Sequence, residues 1–95
     1  MTFDAADPAP LMGVLSKYVV LSRQQPGCRN IDLCQSLTEP TRFVIIEKWE
    51  SPESQRAHFD SEEMVEMAEA VVKGAMVTGP PAVDLLEGIS AHDLK

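Results

Sequence analysis

The residues with the types and spacing to do chemistry gather around one stretch, Arg42-Phe43-Val44-Ile45-Ile46-Glu47-Lys48-Trp49-Glu50, followed at once by Ser51-Pro52-Glu53-Ser54. Its first half is a continuous run of β-branched and aromatic residues, which suits a strand covered on both faces. Strand side chains repeat every two residues, so Glu47 and Trp49 share a side with Phe43 and Ile45. A carboxylate that can accept a proton and an indole N–H that can donate a hydrogen bond, beside two large apolar groups, describe a pocket wall with polar handles.

Metal and thiol chemistry find less support. Two cysteines, Cys28 and Cys34, and two histidines, His58 and His92, are available, at spacings that match no zinc signature. If Cys28–Gln35 is a strand, the two cysteines lie on one face about 20 Å apart at roughly 3.3 Å per residue. A disulfide needs Cα atoms within about 7 Å, so free, mostly buried thiols are expected.

The elements that must position these groups follow in order. Thr2–Ala5 is a short extended piece, and Asp7 can cap a helix carrying Pro8 and Pro10 in its first turn. Leu11, Val14, Leu15, Tyr18 and Leu21 recur at helical spacing, and Gln24-Gln25-Pro26-Gly27 ends the helix, giving about Pro8–Arg23. In Cys28–Ser36, Ile31 and Leu33 fall on one face and Cys28, Asn30, Asp32 and Cys34 on the other, the alternation of a strand. Leu37–Thr41 reads as a hairpin loop joining it to Arg42–Glu50. Ser51 caps and Pro52 starts a short helix to about Phe59, and Asp60 or Ser61 caps a continuation whose apolar stripe is Met64, Ala68, Val71, Val72 and Ala75. Glu62, Glu63, Glu66 and Glu69 fall mostly on its solvent side. Gly79-Pro80-Pro81 breaks the chain before a last strand, Ala82–Glu87, and a polar tail, Gly88–Lys95.

Helix, strand, strand, helix, strand, with a strand fragment in front, is the α+β ferredoxin-like split β-α-β pattern: an antiparallel sheet with two helices on one face. Ninety-five residues make a single domain, with a core of about 8–87, and a chain this short leaves much surface uncovered when alone. The doubly apolar Phe43–Ile46 segment predicts that the bare sheet face packs on the same sheet of a second chain, a homodimer. A net charge of −7 argues against nucleic acid or an anionic membrane surface as partner. No apolar run approaches the roughly 20 residues of a membrane span. The start, Met1-Thr2-Phe3-Asp4, lacks the pattern of a secretory signal, so a cytoplasmic location is expected.

The ordered set Gln25-Pro26-Gly27-Cys28, Arg42-Phe43-Val44, Glu47-Lys48-Trp49-Glu50-Ser51 and Ala57-His58-Phe59-Asp60-Ser61, with the Gly79-Pro80-Pro81 break, resembles the antibiotic biosynthesis monooxygenase (ABM) domain from about Pro8 to Glu87. That resemblance implies a dimeric α+β barrel. It also implies an oxygenase that acts on hydroquinones or anthrone-like polyketides without metal or flavin, or a relative that degrades haem. The family has a full, central first strand, whereas Met1–Ala5 is short. Either the natural chain starts upstream, or Met1–Asp4 ends a shortened strand. The haem degraders resemble one another in an Asn on the first strand and a haem-ligating His on the second helix. No Asn precedes the first helix here and Met64–Lys73 holds no His, so haem degradation is disfavoured.

For the oxygenase that the resemblance implies, a base must form an electron-rich anion, apolar walls must exclude water, and a polar group must steady the oxyanion. Glu47 or His58 takes the proton, and Trp49 with Phe43 supplies the flat wall, the indole N–H donating to an oxygen. Asn30 or Asp32 orients substrate, and Tyr18 and Met64, with Met12 and Met67, line a core or an adaptable pocket. Other roles stay open: Trp49 in a core or dimer contact, Glu47 paired with a basic residue across the interface, and His58 as a structural helix-start residue. A non-catalytic, ligand-binding or structural homodimer of the same fold is the alternative.

Overall fold

The computed structural model describes residues 1–87 and Ile89; most of the expected polar tail 88–95, with His92, lies outside the described residues. The elements are β1 (Thr2–Asp4), α1 (Pro8–Ser22), β2 (Cys28–Gln35), β3 (Arg42–Trp49), α2 (Pro52–Phe59) and α3 (Glu62–Lys73). The sheet is antiparallel in the order β1-β3-β2. Pairing of Thr2 with Val44 and of Phe3 with Phe43 sets the register of β1, and Arg42 Nε donates to Asp4 Oδ1 at 2.8 Å across the same pair. This is the ferredoxin-like arrangement, with a short first strand.

The last strand departs from expectation. Ala82 exchanges two backbone hydrogen bonds with Thr2, at 2.8 and 3.0 Å, on the edge of β1 away from β3, but 83–87 form no ladder. The strand they would join is only three residues long. Residues after Ala82 run past its end, which leaves Val83, Leu85 and Leu86 exposed.

The core fills the space between sheet and helices: Phe3, Ile31, Phe43 and Ile45 from the strands meet Leu11, Leu15, Tyr18 and Val19 of α1 and Met67 and Val71 of α3. On α3 the buried stripe is Met67 and Val71, with Met64 half-buried, an i, i+3, i+7 spacing that lies along one face. Ala68, Val72 and Ala75, expected in that stripe, are exposed, Val72 at 76% and one residue off the seam. Ser61, of the two expected caps, accepts from the Met64 amide. Asp7 holds the N-cap position of α1 without a side-chain bond, and the prolines alone mark that start.

On the other sheet face Val44 is half-buried and Ile46 is 55% exposed, so the apolar face expected to meet a second chain is present and uncovered in the single chain. Among the described residues, no helix is long and apolar enough to cross a membrane.

Candidate functional site

Three elements carry side chains to one point above β3. Period-two alternation puts Glu47 and Trp49 on the helix-facing side of β3, in line with buried Phe43 and Ile45. Tyr18 reaches the same point from α1, one turn beyond Leu15. His58 arrives from α2, whose start is fixed by the Ser51 cap and Pro52. Gly27 sets how close α2 can come: its φ is +82°, and a β-carbon there would sit 2.2 Å from Ser54 Oγ. Only glycine meets both demands.

The resulting cluster is closely bonded. Tyr18 donates to Glu47 Oε2 at 2.8 Å, and the Trp49 indole donates to Glu47 Oε1 at 2.9 Å. His58 Nε2 lies 2.5 Å from the Tyr18 hydroxyl and 3.2 Å from Glu47 Oε1. The His58 ring stacks on Trp49, with centroids 4.5 Å apart and planes inclined by 26°. Behind the ring, Nδ1 lies 2.8 Å from Gln25 Oε1, and Gln25 Nε2 donates to Glu63 Oε2 at 2.8 Å. His58 and Tyr18 are buried, and the Glu47 side chain keeps 13% of its exposure.

This environment separates the two oxygen acids. Burial alone would raise the Glu47 carboxyl, but hydrogen bonds from His58, Trp49 and Tyr18 outweigh it and hold the group below its ordinary value. Burial pushes the Tyr18 phenol well above its ordinary value, and the charge of Glu47 and their hydrogen bond push it further. Glu47 is therefore an ionised acceptor and Tyr18 a protonated donor at neutral pH.

Among the described residues, two cavities flank the cluster. One of about 580 Å³ is lined by Glu47, Met1, Val44–Ile46, Gln55, Phe59 and Ala82–Leu86. The other, about 210 Å³, lies between α1 and α3 beside Tyr18, Glu63 and Met67. The larger falls within the range of small-ligand sites and the smaller below it.

Of the expected site residues, Tyr18, Glu47, Trp49 and His58 come together. Phe43 is sealed in the core at 2% exposure, and half-buried Met64 packs against that core; neither lines either cavity. Asn30 and Asp32 lie on the opposite face of the sheet, opposite Lys48 and Ile46, where Asn30 donates to Asp32 at 2.9 Å. The shared pocket expected for Asn30 and Asp32 with Trp49 is therefore corrected. A register shift between Cys28 and Asn30 brings Cys28 opposite Trp49 instead, on the helix side. The cysteines are thus on opposite faces, free as expected, but Cys34 is exposed rather than buried. Among the described residues, no group of three or more His, Cys, Asp or Glu could hold a metal ion.

Gln25 and Glu63 escaped the sequence reading. Helical periodicity assigns Glu63 to the solvent side, and nothing local marks Gln25, in the turn before β2, as a partner of a residue 33 positions later.

Comparison with known proteins agrees with the fold. The family model described as "Antibiotic biosynthesis monooxygenase" matches residues 12–70. A solved Nitrosomonas europaea protein named as an antibiotic biosynthesis monooxygenase superposes with a TM-score of 0.85 at 19% identity, covering 94% of each chain. The Pseudomonas aeruginosa protein PA3566 gives 0.77 at 24% identity, covering 94% of this chain and 89% of its own. Rv0793 of Mycobacterium tuberculosis gives 0.72 at 25% identity, covering 94% of this chain and 93% of its own. No curated protein matches the sequence. With more than half of its length matched by the family model, the chain belongs to the antibiotic biosynthesis monooxygenase family.

Proposed function

We propose that this protein is a monooxygenase that works without metal or flavin on a small, flat aromatic substrate, a hydroquinone or an anthrone-like phenol, bound in the cavity beside Glu47. One observation carries the reading: a half-buried, ionised carboxylate faces a mainly apolar cavity of about 580 Å³ and is held in place by Tyr18, Trp49 and His58.

For a substrate with an acidic ring CH₂, Glu47 accepts the first proton, and the phenol conjugation spreads the resulting negative charge. The anion passes one electron to dioxygen, and the radical pair joins as a C–O–O⁻ bond. Loss of the second C–H proton with cleavage of the O–O bond leaves a ring carbonyl, and the departing oxygen becomes water. One oxygen atom enters the product and the four electrons from the CH₂ carbon balance the reduction of dioxygen. Met1, Ile45 and Phe59 give the cavity a buried to half-buried apolar wall, and Ile46, Val83, Leu85 and Leu86 form its exposed apolar rim. Tyr18, Trp49 and His58 hold the carboxylate in place.

The outer sheet face, with Val44 and Ile46, packs on the same face of a second copy in this reading. Oxygen uptake by metal-stripped protein with a panel of hydroquinones and anthrone-like phenols tests the activity, with Trp49→Phe and Glu47→Gln alongside. The non-catalytic alternative draws on one feature: both oxygens of Glu47 already have donors, as a purely structural carboxylate requires. Uptake at the spontaneous rate by an intact protein would select it.

A further inference from the structure

The polar chain continues behind His58, away from the cavity, and its chemistry constrains where the ring protons sit. A carboxylate offers only acceptors, so Glu63 Oε2 draws the Gln25 amide nitrogen toward itself at 2.8 Å. Gln25 then turns its oxygen to the imidazole, and an amide oxygen can only accept. His58 Nδ1, 2.8 Å away, is therefore the donor. The two ring nitrogens are thereby made unequal.

On the other side of the ring, Nε2, the Tyr18 hydroxyl and Glu47 form a triangle of contacts at 2.5, 2.8 and 3.2 Å. Two hydrogens satisfy it in three ways. Tyr18 donates to Glu47 Oε2 while Nε2–H donates either to the Tyr18 hydroxyl or directly to Glu47 Oε1, or a protonated Glu47 donates to Tyr18 while Tyr18 donates to Nε2. The last arrangement differs from the others by one proton moved between Nε2 and Glu47, directly or through the hydroxyl. No such shift is open on the Gln25 side, because a side-chain amide does not readily pass a proton on.

We propose that Gln25 and Glu63 are positioning residues that hold His58 Nδ1 as a permanent donor, so that Nε2 alone exchanges a proton with Glu47. The proposal rests on the proton-transfer reading above for its catalytic meaning. The groups that face the ring are Tyr18 from α1, Glu47 and Trp49 from β3, Gln25 from the turn before β2, and Glu63 of α3 through Gln25. Partners of this kind, one step behind a functional imidazole, fix its orientation and tautomer.

The test is a ring-nitrogen NMR experiment on ¹⁵N-labelled protein with His92→Gln, which leaves one histidine in the chain. The expected result is a protonated Nδ1 at every pH at which the protein is folded. Gln25→Leu should release the ring to carry its hydrogen on Nε2. The exchange variant Gln25→Glu with Glu63→Gln keeps an acceptor at 25 and a donor at 63, and should restore the wild-type pattern. An unprotonated Nδ1 in the wild type at any pH, or an exchange variant that loses the Nδ1 proton, overturns the proposal even if Gln25→Leu fails to fold. With an active substrate, Gln25→Leu should lower kcat on the order of tenfold or more at little change in KM, and the exchange variant should recover it. The spectra need no substrate, so a pinned ring without turnover sinks the oxygenase reading alone, and turnover with an unpinned ring sinks this inference alone.

Discussion

At the scale of single residues, the protein concentrates its unusual chemistry in Glu47. Its carboxyl is held below the ordinary value in the folded state, although burial pulls the other way. The stability it adds is therefore present above the ordinary carboxylate range and is lost as the pH falls through its depressed value. Glu47→Gln should flatten that acid limb of stability, as measured by urea denaturation across the acid range; an unchanged acid limb would contradict the hydrogen-bonding account. Tyr18→Phe deletes a donor to Glu47 and a partner of His58, and should cost about 1–3 kcal/mol in the same assay. Much of this was legible in advance: alternation along a strand is enough to group Glu47 and Trp49, and the Ser51-Pro52 start places His58 on the short helix that follows. Gln25 and Glu63 were not legible, because their meeting depends on how a turn and two helices dock.

At the scale of elements, the approach of α2 to β3 governs the site. Gly27 is the pivot, and Gly27→Ala would force a β-carbon into the space of Ser54 at a positive φ. The conformational cost alone is about 1–2 kcal/mol, so thermal unfolding should drop, and the His58–Trp49 stack should loosen as reported by Trp49 fluorescence. A variant of unchanged stability and fluorescence would show that α2 is positioned by something else. Strand and helix identities followed from periodicity and caps, as the Pro8, Arg42 and Pro52 starts show. Two features did not. The register shift beside Asn30 leaves no local mark, yet it decides which face Cys28, Asn30 and Asp32 occupy. The Ala82–Glu87 segment reads as a strand from its own residues, but a strand forms only where a neighbour offers backbone groups, and β1 is too short to do so.

At the scale of the whole molecule, a sheet with helices on one face leaves an apolar face uncovered, and dimerisation is the proposed outcome. Sedimentation should report twice the 10.4 kDa chain mass. Ile46→Lys, at a position 55% exposed in the single chain, should shift the protein to monomer while leaving the fold intact. A monomeric wild type would contradict the sheet-to-sheet pairing. Family membership was legible in the ordered motifs from Gln25 to Ser61, because those residues make the turn, the central strand and the helix start that define the site. The substrate was not, because the cavity beside Glu47 is built from β3, α2 and 82–86, and its shape appears only when they assemble. Oxidation of a phenolic substrate at Glu47 without a cofactor is read out by oxygen uptake with metal-stripped protein. Uptake is expected with at least one hydroquinone or anthrone-like phenol, lowered on the order of a hundredfold or more in Glu47→Gln, as for loss of a general base, and lowered less in Trp49→Phe. Uptake no faster than the spontaneous reaction, or full activity in Glu47→Gln, would contradict it.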